Sequence, residues 1–293
     1  MTELPFVTII IPVWNSPDLI AKCLDAIRRQ TYPADRFETL VIDNGSTDGT
    51  AAVVGRYAFA TLLSEPKPGS YNARNNGLRH ARGDYFAFTD ADCVPEPGWL
   101  AAAVAAARAN PTAGICAGRI TLFRTGGAGS EACEKYERLF AFDQRRNVAA
   151  GACFTANWLS PRRMFEELGD FDGRLKSGGD TDMSRRIHKA GYPLIYVPEM
   201  VVGHPVRAQY DELAQKRRRI VGGRWVAQKR SFALLQWTLI LLREGAQKMK
   251  VVFWNSGLPL RDKLQIASVV VALTGTMIAE LFRIALGGEP SRA

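Results

Sequence analysis

The stretch Asp84-Tyr85-Phe86-Ala87-Phe88-Thr89-Asp90-Ala91-Asp92 decides how the rest of the chain is read. Tyr85 to Phe88 make a short aromatic and apolar run, with Gly83 before it and Pro95 after it. A run of that length suits an inner strand of a parallel sheet, buried on both faces. It leads straight into two carboxylates one residue apart, Asp90 and Asp92. Ligands of open α/β sheets bind in the crevice at the carboxyl ends of the strands. Two acids there can hold a hard divalent cation, Mg²⁺ or Mn²⁺, which takes oxygen ligands and shares its shell with substrate phosphates. The plainer alternative is that the Asp-x-Asp pair only ends a strand and opens a turn. The neighbouring segments decide between them.

Upstream, Phe6-Val7-Thr8-Ile9-Ile10-Ile11-Pro12-Val13 is a β-branched run and reads as a first buried strand. Ser16 suits an N-cap with Pro17 at the first helical position. Leu19, Ile20, Cys23, Leu24 and Ile27 then recur at helical spacing, and Tyr32-Pro33 stops the helix. A second strand, Phe37 to Ile42, ends at the turn-rich Asp43-Asn44-Gly45-Ser46-Thr47-Asp48-Gly49-Thr50. A weaker strand, Thr61 to Ser64, leads through Pro66-Lys67-Pro68-Gly69 to a helix over Asn72 to His80. Strands alternating with helices predict a parallel α/β sheet with right-handed crossovers. Downstream, the pattern predicts a helix over Trp99 to Ala109 and a strand over Arg119 to Phe123. A loop follows at Gly126-Gly127-Ala128-Gly129-Ser130, then a helix over Glu131 to Phe142 and a short helix begun by Ser160-Pro161. A further helix opens at Ser177-Gly178-Gly179-Asp180-Thr181-Asp182 and ends at Gly191. Two short strands, Leu194 to Val197 and Met200 to Val202, close on Gly203-His204-Pro205.

The 293 residues, 47% hydrophobic and 23% charged, are enough for one large domain with an appendage. The five cysteines are odd in number and lack Cys-x-x-Cys spacing, which argues against a zinc ribbon or a disulfide framework and for a reducing compartment. The N-terminus lacks a basic segment before its apolar run, so a signal peptide is not expected. The net charge of +9 is uneven: residues 211–293 carry 14 Lys+Arg against 6 Asp+Glu, while residues 1–210 are nearly neutral. A boundary near Tyr210 is therefore expected, with a catalytic domain over 1–210 and a basic, partly apolar helical tail over 211–293.

Asp43 and Asp90 fall at the ends of predicted parallel strands and Pro12 ends the first, three adjacent strand ends that make one crevice. No Gly-x-Gly-x-x-Gly or Gly-Lys-Ser/Thr loop occurs, so a nucleotide would be met by carboxylates and metal. The chain resembles a family 2 glycosyltransferase with the GT-A fold. The segments that carry the resemblance are Val7 to Asn15, Val41 to Thr50, Ala73-Arg74-Asn75-Asn76-Gly77, Ala81-Arg82-Gly83-Asp84, Asp90-Ala91-Asp92 and Gly179-Asp180-Thr181-Asp182. They run in order, at family-like spacing, over about residues 5 to 205.

The resemblance implies a GT-A-like, mostly parallel sheet flanked by helices, and roles for single residues. Pro12 and Asp43 would border the nucleotide base, Arg74 the base or phosphates, and Asp90 the ribose. Asp92 would ligate the metal on the diphosphate and Asp180 would be the general base. His204 matches by position a late histidine that ligates the metal in some relatives. The family often has Glu where this chain has Gly179. Plainer uses exist for each: Asp43 capping its own turn, Arg74 as a paired cation, His204 beside Pro205 as a structural residue. Asp180 would be part of a capping box with Ser177, its charge favoured by the helix dipole. Trp158 would either stack on a sugar or pack in the core. Sugar and acceptor contacts are expected from the variable region between Gly114 and Lys176.

Processive relatives carry Gln-x-x-Arg-Trp. Here Val221-Gly222-Gly223 precedes Arg224-Trp225, which argues against a polymerising synthase. Gln215-Lys216-Arg217-Arg218-Arg219 precedes an apolar stretch, Phe232 to Leu242. Leu264 to Ala279 is uncharged for 16 residues, short of the ~20 of a spanning helix. These features suit interfacial helices on an anionic inner leaflet, hence a cytoplasmic, peripheral enzyme. The reading as a whole is an inverting, Mn²⁺- or Mg²⁺-dependent glycosyltransferase. It would take a UDP- or other nucleoside diphosphate-sugar to an acceptor hydroxyl on a lipid-linked or cell-envelope polysaccharide intermediate. The competing readings are a nucleotidyltransferase, a non-catalytic nucleotide-sugar binder, and nucleic-acid binding through the tail, for which no recognition motif is present.

Overall fold

A computed structural model describes residues 3–126, 129–227 and 234–289. Gly127 and Ala128 of the glycine-rich loop, and Phe232 and Ala233 of the apolar stretch from Phe232 to Leu242, lie outside the described residues. The contacts divide the chain into two units. The first comprises residues 1–123, 142–174 and 179–205; the second comprises 124–141, 175–178 and 206–293.

The first unit is built on an eight-stranded mixed sheet. Its strands are β1 (Val7–Val13), β2 (Phe37–Asp43), β3 (Ala60–Ser64), β4 (Tyr85–Phe88), β5 (Val94–Pro95), β6 (Ile115–Phe123), β7 (Trp158–Pro161) and β8 (Leu194–Pro205), in the order β3-β2-β1-β4-β7-β6-β8-β5. β3, β2, β1 and β4 pair in parallel, because helices α1 (Pro17–Arg28), α2 (Thr50–Val54) and α3 (Ser70–His80) make the crossovers between them. Ser16 stands at the N-cap of α1, its hydroxyl turned to the Trp14 carbonyl at 2.9 Å. β1 is buried along almost its whole length, as its β-branched run requires. α4 (Trp99–Ala109) seals the first unit's core with Trp99, Leu100, Ala103 and Val104. After β6 the unit continues through α6 (Gln144–Ala149), α7 (Arg163–Leu168) and α8 (Gly179–Lys189).

Helix α6 was not expected and β6 starts at Ile115, ahead of the expected Arg119; three further differences bear on the sheet. Ser160 and Pro161 do not begin a helix: they finish β7, which runs antiparallel between β4 and β6, and the helix starts at Arg163. The Ser160 hydroxyl donates to the Gly114 carbonyl at 2.6 Å and is fully buried there. The two short strands after Gly191 are one strand, β8, whose register against β6 shifts between Gly118 and Arg119 and absorbs Pro198 as an irregularity. β5 was not anticipated at all; it pairs antiparallel with the end of β8, Val94 opposite Gly203.

The second unit gathers α5 (Glu131–Phe140), α9 (Tyr210–Ala227), α10 (Leu234–Trp254) and α11 (Leu260–Ala285). Cys133 and Tyr136 of α5 pack against Leu213 and Ala214 of α9, Val252 of α10, and Ile266, Val269, Val270 and Leu273 of α11. The change in contacts thus does not fall at one point of the chain. α11 is the one described helix long and apolar enough to cross a membrane by length and composition; 44% of its most apolar window is buried within the protein.

Gly77 belongs to the Ala73-to-Gly77 segment, and the packing of α3 on β1 and β2 explains it. A Cβ there would lie 2.6 Å from Ile10 Cγ2 and 2.9 Å from Ile42 Cδ1. Both isoleucines are fully buried, so neither can move aside freely. Gly77→Ala is expected to cost about 1–3 kcal/mol through overpacking, read as a lower urea midpoint with an unchanged m-value.

Candidate active site

The carboxyl ends of β1, β2 and β4 point to one crevice, and α3 closes one side of it. Arg74 of α3 is almost wholly buried and forms an ion pair with Asp90, just beyond β4. A buried guanidinium needs a counter-charge, and Asp90 supplies it. The Arg74 guanidinium also lies 5.5 Å from the Tyr71 ring centroid. Asp43 ends β2 and accepts from the Ser46 backbone N–H at 3.2 Å and from the Ser46 hydroxyl, so it does cap its own turn. That turn is tied to the end of β1, since Asn15 N–H donates to Ser46 Oγ at 2.9 Å and Thr47 N–H to Asn15 Oδ1 at 2.8 Å. Pro12, partly exposed, lies opposite Ile42 in the β1–β2 pairing, and Val13 opposite Asp43.

The β5–β8 pairing returns the chain so that His204 meets Asp92. His204 Nε2 lies 3.3 Å from Asp92 Oδ2, and Nδ1 is 2.7 Å from the Pro205 carbonyl. A carbonyl only accepts, so Nδ1 carries a proton and Nε2 is the nitrogen that faces the carboxylate. Phe142, in the left-handed region with φ 51°, supports the imidazole with its ring 4.4 Å away, centroid to centroid. Cys93 Sγ approaches Asp92 Oδ1 at 3.7 Å, and ligand atoms of Asp92, Cys93 and His204 all lie within 4.8 Å of one another. A carboxylate oxygen suits Mn²⁺ or Mg²⁺, and the imidazole nitrogen beside it favours Mn²⁺ of the two. Burial, with the charges of Asp92 and Asp90, pushes the Cys93 thiol well above its ordinary range. It therefore stays a thiol and is no competitor for a hard ion. The donor set is compatible with a divalent cation, which Asp92 and His204 would hold.

Asp180 opens α8. Its Oδ1 accepts the Thr181 N–H at 2.8 Å and lies 3.4 Å from the Tyr71 hydroxyl. Burial pushes its carboxyl above the usual range; the Thr181 N–H and Arg74 pull it back and the Asp90 charge adds to the rise. Burial thus outweighs the helix-start effect expected from the sequence. Tyr71 was missed by sequence reasoning. Its ring is buried against Phe171, 5.8 Å between centroids, and it fills the space that a side chain at 179 would need. A Cβ on Gly179 would stand 2.8 Å from Tyr71 Cε2 and Cζ. The only sequence signal was the Gly where the family often has Glu. Asp182 points away, 3.1 Å from Arg186 Nε. Trp158 is fully buried and edge-on to Phe88 and Phe171, which makes it a core residue and not a sugar platform.

The family model described as Glycosyl transferase family 2 matches residues 8–169, more than half of the chain. The chain is a family 2 glycosyltransferase. It is 34% identical over 254 residues to the glycosyltransferase AglE of Haloferax volcanii, with 82% of each chain covered. A shorter match, 33% over 101 residues and 32% of each chain, is to a Methanococcus voltae enzyme. That enzyme is named dolichyl N-acetyl-alpha-D-glucosaminyl phosphate 3-beta-D-2,3-diacetamido-2,3-dideoxy-beta-D-glucuronosyltransferase. Among solved structures, a Pyrobaculum calidifontis mannosyltransferase in complex with GDP-Man and Mn²⁺ aligns with a TM-score of 0.61 at 26% identity, covering 97% of this chain and 87% of that one. The glycosyltransferase thus has the GT-A-like fold, with helices added after β8.

Because Tyr71 is enclosed by Phe171 and Arg74, the glycosyltransferase should not tolerate even a methyl at position 179. Gly179→Ala is expected to destabilise by about 1–3 kcal/mol, measured by urea unfolding. Gly178→Ala is no control, since Gly178 has φ 82° and would add backbone strain of its own.

Proposed function

We propose that this glycosyltransferase transfers a sugar, with inversion, from a nucleoside diphosphate donor to the hydroxyl of a lipid-linked or envelope polysaccharide acceptor, using Mn²⁺ or Mg²⁺. The observation that carries the reading is the Asp92–His204 pair, a carboxylate oxygen and an imidazole nitrogen 3.3 Å apart beyond β4. The Mn²⁺ and GDP-Man of the Pyrobaculum relative support the cation and the donor class. The dolichyl-linked substrate in the Methanococcus relative's name supports the acceptor class.

In this reading Pro12 and Asp43 border the base, and the Arg74–Asp90 pair lies toward ribose and phosphates. A divalent cation bound by Asp92 and His204 would offset charge on the departing diphosphate. Asp180 takes the acceptor's hydroxyl proton as the oxygen attacks the anomeric carbon and the bond to the diphosphate breaks. The Tyr71 hydroxyl holds Asp180 in position. Residues 1–210 would carry the chemistry and 211–293 an interfacial role at the inner face of a membrane. Exposed Leu235, Leu239, Leu242, Phe253 and Trp254 on α10, and Leu264, Val271 and Phe282 on α11, support that role.

Three variants separate binding from chemistry. Asp92→Ala should weaken donor binding and remove its dependence on Mn²⁺ or Mg²⁺. Asp180→Asn should leave donor affinity nearly unchanged and slow transfer by roughly 10²- to 10⁴-fold, the usual contribution of a positioned base. Asp182→Asn, whose partner is Arg186, should change little. Near wild-type transfer by Asp180→Asn would falsify the base assignment. The product assayed is nucleoside diphosphate. Pyrophosphate instead would select a nucleotidyltransferase, and donor binding without turnover a binding protein.

The raised position of Asp180 adds a pH test. The base works ionised, so transfer should fall as pH drops through its folded value, which lies above the ordinary Asp range of about 4. An acid limb below that range would contradict the assignment. For the tail, the full-length protein should sediment with anionic vesicles at low salt and be released by high salt; a protein that stays in the supernatant would refute membrane association.

A further inference from the structure

The second unit holds a group of cations that its nearby acids do not balance. On α5, Tyr136 and Glu137 are both almost wholly buried. Glu137 Oε1 accepts from Arg207 Nη1 at 2.9 Å and from Lys216 Nζ at 3.1 Å. The neighbouring Tyr136 hydroxyl accepts from Arg217 Nη2 and from Lys248 Nζ, each at 2.6 Å. Lys248 Nζ also lies 5.0 Å from the Tyr136 ring centroid and 5.3 Å from that of Phe140. Four cations from α9, α10 and the segment before α9 thus converge on one carboxylate and one neutral phenol. Glu244 acts on Lys248 from the same helix, but it is bonded to Arg224 at 2.7 Å.

One residue before Tyr136, α5 provides the contrast. Lys135 is bonded to two acids, Glu131 at 2.8 Å and Asp262 at 2.7 Å. A structural network closes in that way, with acids for its cations; the Tyr136–Glu137 group does not. Three further features point to a missing acceptor. The Nε atom of Arg217 is buried without a hydrogen-bond partner among the described residues, a costly state for a donor. The Tyr136 hydroxyl, accepting twice, still has its own proton to donate. The charges also strain one another: burial and then the Arg217 and Lys216 charges push the Lys248 ammonium down to about 7, with Glu244 and Glu137 opposing. Burial and Arg207 push Lys216 down to about 8, with Glu137 opposing and Arg217 adding. Burial alone would raise the Glu137 carboxyl, but Lys216 and Arg207 hold it below its usual range.

We propose that Arg207, Lys216, Arg217, Lys248 and the Tyr136 hydroxyl form a binding site for a phosphate or diphosphate group. Among the described contacts, cationic side chains outnumber the one carboxylate, which suits a multiply charged anion, and guanidinium and ammonium donors match phosphate oxygens. The group can belong to a lipid headgroup or to a soluble phosphate. The lipid source rests on the acceptor class proposed above; the site itself does not.

Binding favours the protonated lysines, so it takes up protons, and affinity must fall as pH rises through about 7 and about 8. The experiment measures pyrophosphate binding by calorimetry, with EDTA present and in the full-length Asp92→Ala protein, where the proposed diphosphate site near β4 lacks its cation. Affinity should drop roughly tenfold or more between pH 6.5 and pH 9, with proton uptake visible as a buffer-dependent heat. Arg217→Gln and Lys248→Gln, checked for folding by circular dichroism, should each weaken binding about tenfold or more, and Lys135→Gln should not. Micelles carrying a long-chain isoprenyl phosphate distinguish the sources: tighter binding than pyrophosphate identifies a lipid headgroup, and equal or weaker binding a soluble phosphate. Absence of pyrophosphate and isoprenyl phosphate binding, binding indifferent to pH, or equal binding of a carboxylate amphiphile overturns the proposal. Loss of sugar transfer in Asp180→Asn with pyrophosphate binding intact would leave this site standing, so the two readings fail separately.

Discussion

The ion pair between Arg74 and Asp90 is the constraint on which the first unit's crevice depends. Arg74 is buried on a helix that the sheet holds from below, so its charge must be met within the protein, and Asp90, just beyond β4, meets it directly. Removing one partner of such a pair strands the other, at a typical cost of about 3–5 kcal/mol. The pair also fixes α3, and α3 fixes the loops around it. Asn72 donates to the carbonyls of Pro68 and Gly173 at 2.8 and 3.2 Å. Asn75 exchanges hydrogen bonds with the backbone of Phe171, and Asn76 donates to the Ser64 carbonyl at 2.9 Å. A helix poor in apolar residues is thus held by its amides, and its polarity is a packing device.

A second polar hub holds the far half of the sheet. Asn157 is fully buried; its amide donates to the carbonyls of Arg119 and Met200 at 2.8 and 2.9 Å and accepts the Trp99 indole N–H at 2.9 Å. It therefore joins β6, β8 and α4 where the register of β8 shifts. Gly118 lies against it, with room for no Cβ: the Met200 carbonyl would be 2.1 Å away. Part of the region that the sequence marks as variable, between Gly114 and Lys176, is thereby a framework. The return of His204 to Asp92 depends on that framework.

What the sequence made legible was local. The strand ends at Pro12, Asp43 and Asp90 followed from apolar runs stopped by turn formers, because burial on both faces leaves a strong compositional mark. β7 was hidden because Ser160-Pro161 has the form of a helix start, and only its antiparallel partners, distant in the chain, make it a strand. His204 was reachable by position alone: two residues of pairing between β5 and β8 bring it in, too few to leave a pattern. Tyr71 was invisible for another reason. Its relation to Gly179 spans more than a hundred residues and consists of one ring occupying the volume that another side chain leaves. The resemblance supplied roles that no periodicity could supply.

The second unit is assembled from pieces far apart in the chain. The Lys135–Asp262 bond spans 127 residues, and every described helix that α5 packs on in its apolar cluster begins at Tyr210 or later. During synthesis α5 leaves the ribosome long before its neighbours exist, while the strands that make most of the sheet are already complete. Tyr136, Cys133 and the apolar face around them must wait, exposed, for the last quarter of the chain, as partly made proteins generally must. Burial of α5 is therefore a late event of folding, because it waits for the helices that begin at Tyr210.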